Sequence, residues 1–180
     1  MKKFVVIFLT AYCFIASVAF AESPPKFYNN DKNYPLIYPH NGMPRYLDKN
    51  SIKVEVSDPP YYIIKASTIT VVNPKHYKFE GNGISSQEYT FFYDEDEVDM
   101  RCYDTNNVES YHNWLYLRPH YIVDSGNAIT GVGIPACVGE ASFYISQGRK
   151  FYGNYLWKNF HRTYGAYVDI FNDKFYEILR

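Results

Sequence analysis

The sequence predicts an α+β fold in which a helix covers one face of an antiparallel β-sheet. Apolar and polar residues alternate in several short segments between residues 46 and 117, which is typical of strands with one covered face. Apolar residues then recur at helical spacing over residues 136–152, and a second such pattern ends the chain. The 180 residues, 47% of them hydrophobic, are enough for one domain with one core.

Residues 1–21 are typical of a signal peptide. Lys2 and Lys3 precede an apolar run from Phe4 to Val18, and Ala-Phe-Ala at residues 19–21 supplies the small residues of a cleavage site. The run is shorter than the ~20 residues of a spanning helix, so cleavage is favoured over a retained membrane anchor. No later run approaches that length, so we expect no transmembrane anchor after cleavage. Cleavage changes the formal net charge from −1 to −3, which argues against nucleic acid as a partner.

Residues 22–45 are predicted to form an extended leader ahead of the domain, which we place at residues 46–180. The leader has five prolines and four asparagines and shows no apolar period. Proline lacks a backbone donor and restricts the residue before it, so this composition disfavours both helix and sheet. We therefore expect the leader to lack regular structure.

The first two strands are predicted on either side of a turn at residues 57–60, which read Ser-Asp-Pro-Pro. Before the turn, Ile52, Val54 and Val56 alternate with charged residues, which predicts one buried and one solvated face. After the turn, residues 61–72 are rich in the β-branched and aromatic side chains that strands favour.

A hairpin is predicted after a loop at residues 75–86. A turn centred on Glu95 and Asp96 would place six side chains on the covered face, in three opposed pairs. The pairs are Tyr89 with Cys102, Phe91 with Met100, and Tyr93 with Val98. The other face is mainly polar, as a one-sided antiparallel sheet requires. Residues 114–117 predict a further strand, and residues 120–135 a connection that is mostly loop.

The segment at residues 136–152 is predicted to be the helix that covers the sheet. Six of its residues form one apolar stripe: Ala141, Tyr144, Ile145, Gly148, Phe151 and Tyr152. Glu140 near its start and Arg149 near its end complement the helix dipole. Because packing accounts for nearly every position, we interpret this helix as a cover and not as a site. The last segment, at residues 166–180, predicts a second and shorter helix.

No arrangement of residues predicts a catalytic site, a metal site or a cofactor. The acidic run at residues 94–99 lacks the central glycine and closing glutamate of a calcium-binding EF-hand loop, so a solvated turn is favoured. Cys137 as a nucleophile would need a base and a reducing compartment, which export argues against. The five histidines do not have the spacing of a known zinc motif, and a zinc site assembled in space is the open alternative. The histidines are His40, His76, His112, His120 and His161.

Four short motifs follow one another along the chain, and their order can be compared with that of known families. Tyr-Leu-Asp at residues 46–48 opens a strand, and a strand pair is centred on residues 89–92 and 98–102. Trp-Leu-Tyr-Leu-Arg-Pro occupies residues 114–119, and a helix begins with Cys-Val-Gly-Glu-Ala at residues 137–141. This order resembles the surface-adhesin protein E family of small exported bacterial proteins.

The resemblance to the protein E family spans about residues 46–152. It implies an antiparallel sheet packed by a helix, a place at the cell surface or in the periplasm, and, in the adhesin itself, attachment to host matrix proteins. The cysteines of this chain lie on the far side of each element compared with those of the family. No host-binding motif of the family can be carried over residue by residue.

The two cysteines that remain after signal cleavage are predicted to form a disulfide. The hairpin register places Cys102 on the covered face, and Cys137 begins the helix that covers it. Export supplies an oxidising environment, and the number of cysteines is even. A Cys102–Cys137 bridge would then tie the helix to the sheet. The alternative is two separate buried thiols that behave as small hydrophobic groups.

The predicted function is that of a non-enzymatic exported protein that binds a protein or an envelope macromolecule, as an adhesin does. The signal peptide places it in the periplasm, at the cell surface or in the medium. The first alternative is a periplasmic accessory or inhibitor protein that acts on another exported protein, and the second is a hydrolase or metal-dependent enzyme. The 20 tyrosines suit half-exposed strands, with an aromatic binding surface as the other interpretation.

Overall fold

The computed structural model describes residues 23–39, 42–72, 83–103, 114–117, 133–160 and 171–180. Within them, one six-stranded antiparallel sheet is formed in which each strand pairs with its neighbours in sequence, in the order β1 to β6. The strands are β1 (Leu36–Tyr38), β2 (Arg45–Asp58), β3 (Tyr61–Val71), β4 (Ile84–Asp94), β5 (Asp99–Tyr103) and β6 (Trp114–Tyr116).

Helix α1 (Gly133–Gln147) covers one face of the sheet. It contacts β1, β2, β3 and β5, and also the C-terminal helix α3 (Asp173–Leu179). A helix that the sequence did not predict, α2 (Gly153–Phe160), lies between them in the chain. The α+β prediction, with an antiparallel sheet covered on one face by a helix and a short helix at the C-terminus, is confirmed.

Buried tyrosines contribute much of the core, and hydrogen bonds satisfy their hydroxyls. The Tyr93 hydroxyl donates to the carbonyl of Gly139 at 3.0 Å, which joins β4 to α1. The Tyr152 hydroxyl accepts from the Met100 backbone N–H at 3.2 Å and donates to the Leu117 carbonyl. A buried aromatic ring with a satisfied polar tip stabilises the core without the cost of an unpaired polar group.

The segment that was predicted as an unstructured leader belongs partly to the sheet. Ile37 of β1 is only 3% exposed and lies in the hydrophobic core. Two backbone hydrogen bonds also join the residues before β1 to β2. The Leu47 N–H donates to the Pro35 carbonyl at 3.0 Å, and the Lys49 N–H donates to the Asn33 carbonyl at 2.9 Å. Prolines fit here because a short edge strand needs fewer backbone donors. The domain therefore begins before residue 45.

Of the three residues of β2 that the alternation placed on the buried face, Ile52 is half-buried and packs against the core, whereas the prediction is wrong for Val54 and Val56. Val54 and Val56 are each 39% exposed, whereas Tyr46 and Leu47, near the start of the strand, are fully buried. The pairing of β2 with β3 shifts between Asp48 and Lys53 and again between Val54 and Val56. Each such irregularity interrupts the simple alternation of faces, so the pattern did not reveal which end of the strand the helix covers.

In the β4–β5 hairpin the predicted faces are correct but the predicted pairs are not. Tyr93 lies opposite Met100, and Phe91 lies opposite Cys102. The turn comprises four residues and not the two that were predicted, so the register differs from the predicted one by two residues. A shift of two residues leaves every side chain on its original face. The turn is stabilised by Asp94, whose Oδ1 accepts from the backbone N–H groups of the second and third turn residues at 3.1 and 3.3 Å.

Helix α1 begins and ends earlier than the predicted range of 136–152. Gly148 was placed inside the helix, but it has a φ of +71° and its N–H donates to the Tyr144 carbonyl at 2.9 Å. A glycine in this left-handed conformation terminates a helix. Phe151 and Tyr152 are buried as the stripe suggested, but they follow the helix.

Helix α3 falls within the predicted C-terminal segment and is shorter than it. Asn172 caps the helix, since its Oδ1 accepts from the Phe175 N–H at 3.2 Å. At the other end of the helix, the Lys49 Nζ donates to the Leu179 carbonyl at 3.1 Å, which fixes α3 to β2.

None of the described helices is long and apolar enough to span a membrane. The predicted signal peptide and most of the predicted loops at 75–86 and 120–135 lie outside the described residues.

Candidate functional site

The histidines were the candidate metal ligands of the sequence. All five histidines lie outside the described residues. Among the residues that are described, no group of three or more histidine, cysteine, aspartate or glutamate side chains could hold a metal ion.

The acidic turn at residues 94–99 is less solvated than the sequence suggested, because Glu95 is held by an arginine. Nε and Nη2 of Arg149 donate to the two carboxylate oxygens of Glu95 at 2.9 and 2.6 Å. The Tyr62 hydroxyl also donates to Glu95, at 3.0 Å. The Arg149 guanidinium lowers the pKa of Glu95. This cluster fixes the hairpin turn to the end of α1, which is a structural role.

The structure does not contain the predicted Cys102–Cys137 disulfide, because both cysteines are free thiols. Both are buried, as the prediction required, at 4% and 0% exposure. Cys137 interacts electrostatically with Tyr38 of β1, whereas Cys102 interacts with Tyr89 and Tyr93 of β4. The two thiols therefore have different neighbours in the core. Sequence spacing placed both on the covered side but could not place them opposite each other.

Glu140 is a buried ionisable group whose burial the sequence did not predict. Its side chain is inaccessible to solvent, and its oxygens accept from the backbone N–H groups of Phe151 at 3.0 Å and Tyr152 at 2.5 Å. The Tyr176 hydroxyl of α3 donates to Oε1 at 2.6 Å. A single carboxyl group thus connects α1, the turn after it and α3.

Burial raises the pKa of Glu140, and the hydrogen bonds from Tyr176, Tyr152 and Phe151 oppose that effect. A perturbed carboxyl group can mark an active site when it lies in a cleft. Glu140 instead points into the core and is occupied by bonds that hold the fold together. The geometry is that of a structural carboxyl group, which agrees with our interpretation of α1 as a cover.

The open face of the sheet, opposite α1, carries a continuous row of aromatic rings. The ring of Tyr61 stacks on that of Phe92, with 6.1 Å between centroids. Phe92 contacts Trp114 at 6.4 Å, and Trp114 contacts Tyr103 at 5.2 Å. Tyr61 is 47% exposed and the other three are half-buried. We call these four residues the aromatic row.

A partly buried ion pair holds an arginine over the aromatic row. The guanidinium of Arg101 lies 5.4 Å from the centroid of the Phe92 ring, within the range of a cation–π contact. Its Nε and Nη2 donate to one oxygen of Asp99 at 2.9 and 2.8 Å. The Asp99 side chain is 3% exposed, whereas that of Arg101 is 32% exposed. The buried carboxylate therefore fixes the direction of a partly accessible cation.

The aromatic row was only partly predictable. The sequence placed Phe92 and Arg101 together on the mainly polar face of the hairpin, and the tyrosine excess left an aromatic surface as an open interpretation. It could not place Tyr61 beside Phe92, because that contact depends on the pairing of β3 with β4.

No protein family, no curated protein and no solved structure matches this chain. The resemblance to the protein E family therefore stays a prediction.

Proposed function

We propose that this chain is an exported, non-enzymatic protein that binds a protein or an envelope macromolecule through the open face of its sheet. The observation that carries the proposal is the aromatic row of Tyr61, Phe92, Trp114 and Tyr103, with Arg101 held above Phe92. The export and the non-enzymatic character rest on the sequence alone, through the signal peptide and the search for catalytic motifs.

The composition of the open face suits recognition of a macromolecule. Tyrosine, tryptophan and arginine are enriched among the residues that dominate the binding energy of protein interfaces. The two aromatic residues offer a large contact area with few rotatable bonds. The strands of a sheet hold the four rings in place before binding, which lowers the entropic cost of ordering them. The aromatic row also lies opposite the face that α1 covers, and Tyr61 is 47% exposed, so a partner can contact this ring without opening the core.

The binding surface is tested by measuring saturable binding to immobilised host matrix proteins and to isolated bacterial envelopes. Tyr61→Ser removes the most exposed ring of the aromatic row, and we expect it to weaken binding at least about tenfold. The control is Tyr155→Ser, which removes a tyrosine of similar exposure, 39%, from α2. A wild-type protein that binds neither class of target would contradict the proposed function. Binding that Tyr61→Ser leaves unchanged would contradict the location of the site.

The same open face would serve the alternative function, in which the partner is another exported protein of the same cell. To distinguish the two functions, a photo-crosslinking amino acid is placed at residue 61, and the molecules that become crosslinked to the chain are identified. A partner crosslinked in stoichiometric amount within the cell's own envelope supports an accessory or inhibitor protein. Crosslinking to matrix proteins alone supports an adhesin. A crosslinker at residue 155 is the control for non-specific capture.

A further inference from the structure

The most exposed ring of the aromatic row lies between two carboxylates. Tyr61 of β3 is directly opposite Asp58 of β2 on one side and Asp94 of β4 on the other. Opposed residues of antiparallel strands project from the same face, with their Cβ atoms about 5 Å apart. Both carboxylates therefore flank the Tyr61 ring on the open face. Tyr61 is 47% exposed and Asp58 is also exposed, so a partner can contact both side chains.

Neither carboxylate is neutralised by a basic side chain of the described structure. The Asp58 side chain forms no hydrogen bond and no salt bridge with a described residue. Asp94 Oδ1 accepts from the backbone N–H groups of Asp96 and Glu97 at 3.1 and 3.3 Å, which are neutral donors. Asp96 and Glu97 are exposed, and within the described ranges they form no salt bridge either. The Tyr61 ring thus lies in a region of uncompensated negative charge.

The basic side chains of this part of the sheet are bound to other carboxylates. The salt bridges are Arg101–Asp99 at 2.8 Å, Arg149–Glu95 at 2.6 Å, and Lys53–Glu55 and Lys65–Glu55 at 3.3 and 3.1 Å. The two lysines share one carboxylate, but they lie opposite each other and four residues from Tyr61 along β3, which is about 13 Å. The negative charge beside Tyr61 is therefore available to a partner.

Apolar side chains continue the open face next to Tyr61. The following residue of β3 on this face is Ile63, which lies directly opposite Val56 of β2 and Phe92 of β4. Val56 is 39% exposed, and the other two are half-buried. A side chain that binds at Tyr61 would therefore have charged groups on two sides and an apolar strip on a third.

Arginine is the side chain whose chemistry fits this arrangement. The electron-rich face of a tyrosine ring attracts a cation, and a planar guanidinium can stack on it while its five N–H donors point outwards in the plane. Carboxylates on both sides of the ring can accept from those donors. The ammonium group of lysine is a compact point charge, and it would not reach both carboxylates from the centre of the ring.

We propose that the partner of the open face is a protein that places an arginine side chain on the Tyr61 ring, where it donates to Asp58 and Asp94. Apolar residues of the partner beside this arginine would contact Val56 and Ile63. The inference rests on the proposed function, and it adds the chemistry of the partner to the location of the site.

The first test uses isotope-labelled mature protein and two capped tripeptides, followed by NMR. The peptides are Leu-Arg-Leu and the same peptide with citrulline, which has the shape of arginine without its charge. We expect the arginine peptide to shift the amide signals of Tyr61 and Asp94 in a saturable way, and the citrulline peptide to bind at least about fivefold more weakly. Equal binding of the two peptides would overturn the proposal, as would the absence of a shift at tens of millimolar arginine peptide.

Protein variants separate the contributions of the ring and of the carboxylates. Tyr61→Phe retains the ring and should bind the arginine peptide as the wild type does, whereas Tyr61→Leu should weaken binding about fivefold. Asp58→Asn should weaken it about threefold. The control is Glu88→Gln, which changes an exposed carboxylate on the same face, six residues from Asp94 along β4. Wild-type affinity in both Tyr61→Leu and Asp58→Asn would contradict the assigned contacts.

The binding assay with matrix proteins and envelopes distinguishes failure of this inference from failure of the proposed function. We expect Asp58→Asn combined with Asp94→Asn, whose amide oxygen can still accept from the turn, to weaken the binding of the macromolecule at least about fivefold. Binding that Tyr61→Ser weakens and the double variant leaves unchanged would overturn the arginine contact and leave the open face as the site. Binding that neither change affects would overturn both.

Discussion

At the scale of single residues, Glu140 shows how one carboxyl group can link three parts of a fold. Its donors are two backbone N–H groups of the turn after α1 and the hydroxyl of Tyr176 on α3. Burial nevertheless raises its pKa above the ordinary value. An acid whose pKa is higher in the folded chain than in the unfolded chain binds more protons when folded, so its contribution to stability falls as the pH rises through the folded pKa.

The first prediction follows from this decrease in the stability contribution of Glu140 with rising pH. We expect the free energy of unfolding of the wild-type protein to decrease relative to that of Glu140→Gln as the pH rises from about 4, near the unfolded pKa of glutamate, to about 8. Urea denaturation at several pH values measures the difference. The control is Glu177→Gln, which changes an exposed glutamate of α3 and should follow the wild type. A constant difference between wild type and Glu140→Gln would show that the pKa of Glu140 is not raised.

The second prediction concerns Gly139, where α1 packs directly against Met100 and Phe91 of the sheet. A Cβ atom at this position would overlap Met100 Sδ and would lie 3.2 Å from Cδ1 of Phe91. Although alanine favours a helix more than glycine does, the displacement of core side chains costs more. We expect Gly139→Ala to reduce the free energy of unfolding by about 1–3 kcal/mol. Gln147→Ala, in the last turn of α1, should change it by less than about 0.5 kcal/mol. An unchanged or increased stability of Gly139→Ala would mean that Met100 moves aside without cost.

At the scale of secondary-structure elements, the sequence was informative where one local rule decided the outcome. Alternation placed the side chains of β4 and β5 on the correct faces. The predicted register was wrong by two residues, but a shift of two residues does not move a side chain to the other face. It failed for Val54 and Val56 of β2, where the pairing with β3 shifts and interrupts the alternation of faces. It also failed at Gly148, because a glycine within an apolar stripe fits both a helix interior and a helix end.

The third prediction tests β1, which composition alone assigned to an unstructured leader. Ile37 is buried in the core at 3% exposure, and its neighbour Leu36 is half-buried. We expect Ile37→Ala to cost about 2–5 kcal/mol of stability. Leu36→Ala should cost clearly less, at about 1 kcal/mol. Equal and negligible effects of both substitutions, measured by thermal or urea denaturation, would show that β1 is not part of the stable domain.

At the scale of the whole molecule, the candidate sites depend on contacts that no local pattern contains. The aromatic row needs β3, β4, β5 and β6 side by side. Glu140 was visible in the sequence, but its donors lie 11, 12 and 36 residues away. The predicted disulfide illustrates the same limit, since both cysteines are buried as predicted and yet are free thiols in the structure.

The fourth prediction is that both core cysteines are reduced and unreactive in the folded protein. Burial and the nearby charge of Glu140 raise the pKa of Cys137 to about 12, so little of the reactive thiolate forms at neutral pH. Cys102 is 4% exposed and equally shielded from reagents. We expect alkylation by iodoacetamide to spare both residues in the native state and to modify both after unfolding without a reductant. Peptide mass spectrometry measures each site separately, and a reductant added before unfolding is the control. Cysteines that react only after reduction would show that a Cys102–Cys137 disulfide forms in the protein, and that α1 and β5 then lie closer together than in this structure.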